Sequence, residues 1–483
     1  MAKSTGGKSS QRVKTGRGGD TRVHPAAAAP GDRFAAGKAL RAKVPREFHA
    51  GWAAPANRPD PVDIITASNV GRIQSLVPIR HARMLTSSFA FLRGTAAVMA
   101  WDLHKLPSTG LRVQACGDCH LMNFGAFLSP EGNALFDIND FDESLPDVDF
   151  TADLKRLAAS FAVAALAAGD SEKSARRIAK NVALAYSERM AKLARLSPLE
   201  AWQSRINLTQ EGEGLFDADL AKKLRLAAAQ KPADRQEDAN FPHIARDAAT
   251  GARRIKDNPP LIYHVPEKED PSIHVDIPAV FTGVVDTLAP EIATLLARYK
   301  LADSAFKVVG VGSVGTYCAI GLFVTTDGDP LFLQIKEALP SAMERLHVKP
   351  WQGQQGARVV SGQRIMQAAT DLFLGWTTDS ASGRQFYVRH LKNRRLGSIA
   401  ELLETKALPQ YATLCGRTLA RAHARSADAA TIWGYMGRNE VFADAIASFA
   451  MLYAAQNKKD FAAFVAAEGE TASSGQARAA RPA

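Results

Sequence analysis

Cysteine is scarce, with four in 483 residues. So few thiols in so long a chain provide no disulfide framework, which makes a reducing compartment the expectation. Long apolar runs are missing too. The most apolar stretch, Leu157 to Gly169, is closed off by Arg156 and Asp170 and is too short to span a bilayer. No apolar segment of signal-peptide type stands near Met1, and the glycine content of the Arg-rich start argues against the amphipathic helix of a transit peptide. A soluble cytoplasmic protein with no membrane partner is expected. Acidic residues are few only at the start. Residues 1–50 hold eleven Lys/Arg against three Asp/Glu, so most of the net charge of +11 sits there and the rest of the chain is close to neutral. That Gly-, Ser-, Ala- and Arg-rich stretch reads as a solvated tail, to which nucleic acid would bind weakly at most. No internal repeat is visible.

What is present is an ordinary apolar fraction, 46 %, in a chain long enough for two or three packed units. The spacing from Val62 to Leu106 is mainly helical, and its Arg80, Arg83 and Arg93 read as solvated helix-face residues, with phosphate binding as the alternative. Leu111 to Ala115 reads as a strand. After it comes Cys116-Gly117-Asp118-Cys119-His120-Leu121-Met122-Asn123, and then Phe124–Leu128, the turn Ser129-Pro130-Glu131-Gly132-Asn133 and Leu135–Ile138. This is a strand, a turn and a strand, leading into Asn139-Asp140-Phe141-Asp142-Glu143. Because a hairpin folds back on itself, Asp118, Asn123 and Asp140 can meet at its open end. A base beside oxygen ligands for a hard cation is how phosphotransferases are built. Asp118 is the candidate base, Asn123 and Asp140 are the candidate magnesium ligands, and Asp142 assists them. His120 is either an acid/base or a hydrogen-bonding residue of the loop. Cys116 and Cys119 are formally C-x-x-C, yet no second ligand pair at zinc spacing accompanies them.

Helices are expected to open at Asp153 and after Ser171-Glu172. The region 198–290 is mixed and charge-rich. Phe306–Val309, Tyr317–Val324 and Leu331–Lys336 then read as three antiparallel strands, with Gly310-Val311-Gly312-Ser313-Val314-Gly315 joining the first two. A dinucleotide fold would need a helix after those glycines, and a strand follows instead. Glycines bridging antiparallel strands suit phosphates approached from above, with Lys336 on the third strand placed to reach the α- and β-phosphates. Gln363–Phe373 looks helical, Phe386–Leu391 looks like a strand against which an adenine would lie, and helical sequence begins at Ile399 and continues through Tyr411–Arg425 and Ala443–Ala467.

The run Gly117-Asp118-x-His120-x-x-Asn123 with Asp140-Phe141-Asp142 resembles the catalytic and metal motifs of aminoglycoside and choline phosphotransferases, whose fold is protein-kinase-like. More closely, the body from Lys38 to Ala467 resembles the bacterial family DUF2252, through Arg93-Gly94, Gly117–Gly125, Asn139–Glu143, Gly312–Thr316 and Leu333–Ala338. The phosphotransferase resemblance implies Asp118 as catalytic aspartate, with Lys336 and His120 beside it, and Asn123, Asp140 and Asp142 at the metal. It further implies Gly310, Gly312, Ser313 and Gly315 as the phosphate loop, and Asp153 as the acid bracing the catalytic loop. The glycine loop and lysine follow the catalytic loop here, whereas in kinases they precede it, so a circular permutation is implied. No helix glutamate for Lys336 stands out; Glu344, Gln363 and Gln367 are the alternatives.

The expectation is therefore an α+β, kinase-like, two-lobed protein. Its order would be a basic tail (1–37), a mainly helical lobe with the catalytic loop and hairpin (38–300), a β-rich nucleotide lobe (301–398), a helical C-terminal part (399–467) and a second tail (468–483). ATP and Mg2+ are the implied cofactors, and the acceptor is a small molecule or a protein with a hydroxyl group. AMP transfer, or nucleotide binding without catalysis, is the alternative.

Overall fold

The helix Thr151–Ala167 is buried along nearly its whole length, because alanine and other small residues fill the positions between Leu154, Leu157 and Phe161. Small side chains let neighbouring helices come close on every side, and it packs against Glu172–Leu193 and Val441–Ala479. Ser171 caps the second of these helices by accepting from Ser174 N at 3.2 Å. Leu408–Ala424 lies against Glu172–Leu193, with bare Gly416 over the Val182 carbonyl. The computed structural model describes residues 29–208, 242–247, 251–265, 275–346, 350–391 and 407–479. Among these, no helix is long and apolar enough to cross a membrane.

The strands, with the helices, make the protein α+β. β1 (Arg112–Ala115) pairs antiparallel with β4 (Leu145–Asp149), and between them in sequence lies the hairpin of β2 (Phe124–Leu128) and β3 (Ala134–Ile138). A pair of short strands, β5 (Ile244–Arg246) and β6 (Arg253–Ile255), follows. The large sheet has the order β11-β12-β10-β9-β8-β7, every neighbour antiparallel: β7 is Ile262–Tyr263, β8 Lys300–Lys307, β9 Cys318–Val324, β10 Pro330–Glu337, β11 Gly375–Thr378 and β12 Gln385–His390. One face of this sheet carries Ala319, Leu333, Ile335, Phe386 and Val388 and is covered by the helix Ile277–Val284, whose Phe281 sits over Gly321.

Several elements differ from expectation. The tail expected through residue 37 already forms a helix at Pro30–Ala39, held on the helix Ala429–Met436 where Gly37 and Gly434 let the backbones meet. Arg41 fastens the junction through its Nε bond to Tyr435 O at 2.8 Å. The last helix, Val441–Ala479, runs past the expected boundary at 467. The helix expected at Gln363–Phe373 is Gln355–Met366, and β8 begins at Lys300, six residues before the expected Phe306. The helix start expected at Ile399, residues 1–28 of the tail, and most of the mixed region from 209 to 274 lie outside the described residues.

Candidate functional site

The β1–β4 and β2–β3 ladders share two connections, so both connecting loops leave at one end. Phe124 pairs with Ile138, and Ala115 with Leu145. Asn139 N donates to Asn123 O at 2.8 Å, which closes the open end of the hairpin. The loop after β1 is held from below by Asp153, in the first turn of Thr151–Ala167. Its carboxylate accepts from Cys116 N (2.8 Å) and Gly117 N (3.0 Å), and His423 Nε2 reaches it at 3.2 Å. Gly117 has φ 84°, and a side chain there would strike the Glu143 backbone.

Asp118 stands at the turn of this loop. Arg156 donates to its Oδ1 through Nε at 2.6 Å and forms an ion pair with it through Nη2 at 2.5 Å, and His120 Nε2 is 3.7 Å from Oδ2. Burial raises its pKa, and Arg156 and Arg93 pull the other way. His120 is buried, and its Nδ1 accepts from Met122 N at 3.2 Å, so the ring carries its proton on Nε2 and caps the turn. Asn123 Nδ2 donates to Asp118 O at 2.6 Å, which leaves its Oδ1 as the remaining ligand atom.

Lys336 on β10 reaches this end of the hairpin from the other sheet. Its ammonium is 2.5 Å from Asp142 Oδ2 and 3.8 Å from Asp140 Oδ1. Burial lowers its pKa, but the two carboxylates outweigh it and the pKa rises. Asp142 also accepts from Ser313 Oγ (3.1 Å) and Tyr387 OH (2.5 Å), so both its oxygens are engaged. Despite burial, Lys336 first, then Tyr387 and the charge of Arg389, hold it down at about 2. Asp140 moves in the opposite direction, pushed up by burial and by the negative charge of Asp142. Apart from accepting Asp142 N at 3.3 Å, it keeps its lone pairs for a cation.

Asp140 and the Asn123 Oδ1 thus fit a hard, oxygen-seeking ion such as magnesium. Asp142, expected with them, instead partners the lysine. The glutamate sought for Lys336 is accordingly absent from the alternatives: Gln363 donates to Gln367, Gln367 donates to Ile138 O, and Glu344 Oε1 is buried without a hydrogen bond.

The glycine turn closes over these groups. Gly310 (φ 62°) and Gly315 (φ 92°) give it its shape. Ile73 N bonds Gly315 O at 2.7 Å, Arg72 bonds Val314 O at 2.6 Å, and Arg83 bonds Gly310 O. A cavity of about 480 Å³ lies beneath, lined by Asp118, His120, Asn123, Asp140, Asp142, Gly310, Gly312 and Ser313. Lys336 joins these groups through Asp140 and Asp142, while Gly315 packs on Arg72.

The same cavity is lined by Arg72, Arg80 and Arg93. Arg80, expected to be solvated, is 2 % exposed. Sequence reasoning also passed over Arg156 and Tyr387. A cation inside the apolar run Leu154–Phe161 was the signal for Arg156, whereas Tyr387 carried none beyond strand alternation. Cys116, Cys119 and Asp153 place ligand atoms within 4.8 Å of one another. However, Asp153 is committed to backbone donors, and burial raises both thiols, which disfavours the thiolates zinc needs.

Residues 72–467 match the family model described as an uncharacterized protein conserved in bacteria, DUF2252. No curated protein and no solved structure matches the chain.

Proposed function

The chain belongs to the DUF2252 family of bacterial proteins, and from the site it carries we propose that it is an ATP- and magnesium-dependent phosphotransferase of kinase-like, two-lobed fold, acting on a hydroxyl-bearing acceptor. The observation that carries this reading is the 2.5 Å contact of Lys336 with Asp142, 194 residues apart, beside a cavity shared by Asp118 and the glycine turn. The order of the large sheet supports it. A glycine turn joins β8 to β9, the lysine is on β10, and the helix Gln355–Met366 separates β10 from β11, as in a kinase nucleotide lobe. The helix Leu408–Ala424 supports a circular permutation. Although it comes late in the chain, its Tyr411 OH bonds Leu121 O at 2.8 Å and its His423 bonds Asp153, so it lies under the loop that such a helix precedes in kinases.

In this scheme the glycine turn and Lys336 hold the phosphates of ATP, with Asp142 releasing Lys336 to them in part. Asp118 orients the acceptor hydroxyl through Oδ2 and takes its proton, while Arg156 on Oδ1 aims the carboxylate and offsets part of the burial that raises its pKa. The acceptor oxygen forms a bond to the γ-phosphorus, the bond from that phosphorus to the bridging oxygen breaks, and ADP leaves with the electron pair. Magnesium held by Asp140 and Asn123 would neutralise charge on the phosphates.

Thermal-shift titration with ATP and magnesium tests the reading. Wild type should be stabilised, and Lys336→Ala should lose most of that shift. Once an acceptor is found, Asp118→Asn should lower kcat by roughly 10²- to 10⁴-fold. No nucleotide-dependent shift in wild type would sink the proposal. ATP labelled separately at the α and γ positions separates phosphoryl from AMP transfer.

A further inference from the structure

We propose that the acceptor carries an anionic group of its own, a phosphate or carboxylate, which Arg72, Arg80 and Arg93 receive in the cavity beside Asp118. This rests on the phosphotransfer reading above and names the substrate class of that same site.

Three other arginines with buried side chains are paired with acids. Arg58 meets Asp102 and Asp460, Arg156 meets Asp118, and Arg421 meets Asp137. Arg80 is treated differently. Its Nη1 and Nη2 donate to Asn69 Oδ1 (2.6 Å) and Gly94 O (2.8 Å), both uncharged, and its buried Nε has no hydrogen bond. Arg72 donates to Ser68 O (3.0 Å) and Val314 O (2.6 Å), also uncharged. Among the described residues neither is ion-paired, and a buried charge left so is costly. Burial and the neighbouring Arg72 draw Arg80 down to about 9 against the pull of Glu143, and Glu143, Asp142 and Glu337 act on Arg72 without forming an ion pair with it. Arg358 is likewise held by carbonyls, but it does not line the cavity. A guanidinium fork is suited to phosphate and carboxylate, which it can bind bidentately.

The position of these arginines assigns the anion to the acceptor. Lys336 and the backbone of the glycine turn already serve the nucleotide. The arginines come from the segment Arg72–Arg93, which meets the far side of that turn. At Gly312, the place of a β-carbon is 3.3 Å from Arg93 O and 3.7 Å from Asp118 Oδ2. Arg93 is also one of the charges acting on Asp118. A group bound there lies next to the base, where the attacking hydroxyl must be, and its negative charge fixes which hydroxyl is presented.

Inorganic phosphate is the probe. In thermal-shift titrations, phosphate should raise the melting temperature of wild type both without nucleotide and after saturation with ADP and magnesium, by about 2 °C at ten times its dissociation constant. Arg80→Gln should lose the phosphate shift and keep the nucleotide shift. If that protein does not fold, Arg93→Gln should show the same separation. A phosphate shift that vanishes once nucleotide saturates assigns the arginines to ATP and overturns the proposal while leaving phosphotransfer intact. No phosphate shift at all overturns it too. A phosphate shift in a protein blind to nucleotide means that the phosphotransfer reading has failed and the acceptor role with it.

Discussion

Asp142 and Asp140 are two residues apart on one loop, and their environments drive their pKa values in opposite directions. Lys336, Tyr387 and Ser313 all engage Asp142, which stays ionised down to about pH 2, while Asp140 faces burial and the negative charge next to it. The sign of each contribution to stability follows. Asp142 has a folded pKa of about 2 against a reference of 3.8, so its stabilisation is complete above about pH 4 and is lost as pH falls towards 2. Asp140 has a raised pKa, so its charge opposes folding at neutral pH, and protonation relieves this as pH falls through the raised value. The expected outcome in urea unfolding is that wild type is more stable than Asp142→Asn at pH 7 and that the gap narrows from about pH 4 downward. Parallel stability curves for the two proteins across that range would show that the Lys336 contact contributes nothing to folding. The pattern also serves the proposed chemistry, because a nearly filled Asp142 holds the lysine in place while Asp140 keeps lone pairs for a metal.

Between elements, one close constraint under the site is a helix contact without side chains. Gly416 faces the Val182 carbonyl and lies 3.2 Å, at its would-be β-carbon, from the Ala185 side chain. Its helix, Leu408–Ala424, supplies His423 to Asp153 and Arg421 to Asp137, so it braces both the Asp118 loop and β3. Gly416→Ala should therefore cost about 1–3 kcal/mol through overpacking, even though alanine is the better helix former. Gly469→Ala, in open space on the last helix, should be neutral or gain up to about 1 kcal/mol. Equal melting temperatures for the two variants would mean that the close approach imposes no constraint. Legibility in the sequence followed the same division between local and non-local causes. β2, β3, β9 and β10 could be read from alternation and turn residues, and the Asp118 loop, the glycine turn and Lys336 from local motifs. β4 could not, because Pro146 and the left-handed Asp147 (φ 59°) disguise a strand that exists by pairing with β1. The helix Gln355–Met366 was misplaced because Gly356 and Gly362, poor helix formers, are there to let Phe386 O and Ser144 come close. The burial of Arg80 was equally invisible, since it depends on Asn69, Gly94 and the glycine turn meeting around it.

Across the whole molecule, the candidate site lies where the large sheet meets the hairpin, and Arg358 is one of the residues that span the join, with Lys336, Tyr387 and Arg389. It is 1 % exposed on Gln355–Met366 and donates to Ser144 O, to Asp142 O at 2.9 Å and to Leu339 O at 2.8 Å. Two of these carbonyls flank the Asp140 loop, and the third follows the Lys336 strand. One planar fork therefore ties the end of the lysine strand to the loop that carries its acid, beside the bonds of Ser341 and Ala342 to Glu143. Lysine at this position would keep the charge but not the fork, because a single ammonium cannot reproduce donors held in a plane. Arg358→Lys should lose roughly 2 kcal/mol from carbonyls left unsatisfied in the interior. More tellingly, it should shrink the nucleotide-dependent thermal shift, since Lys336 and Asp140 would no longer be held at one spacing. A matched protein, Gly37→Ala, controls for stability alone, because it overpacks Pro30–Ala39 on Ala429–Met436 without touching the join. If Arg358→Lys and Gly37→Ala keep equal nucleotide shifts, the two halves of the site are aligned by something other than this fork. If only Arg358→Lys loses its shift, registration of the sheet on the hairpin is what makes the nucleotide site.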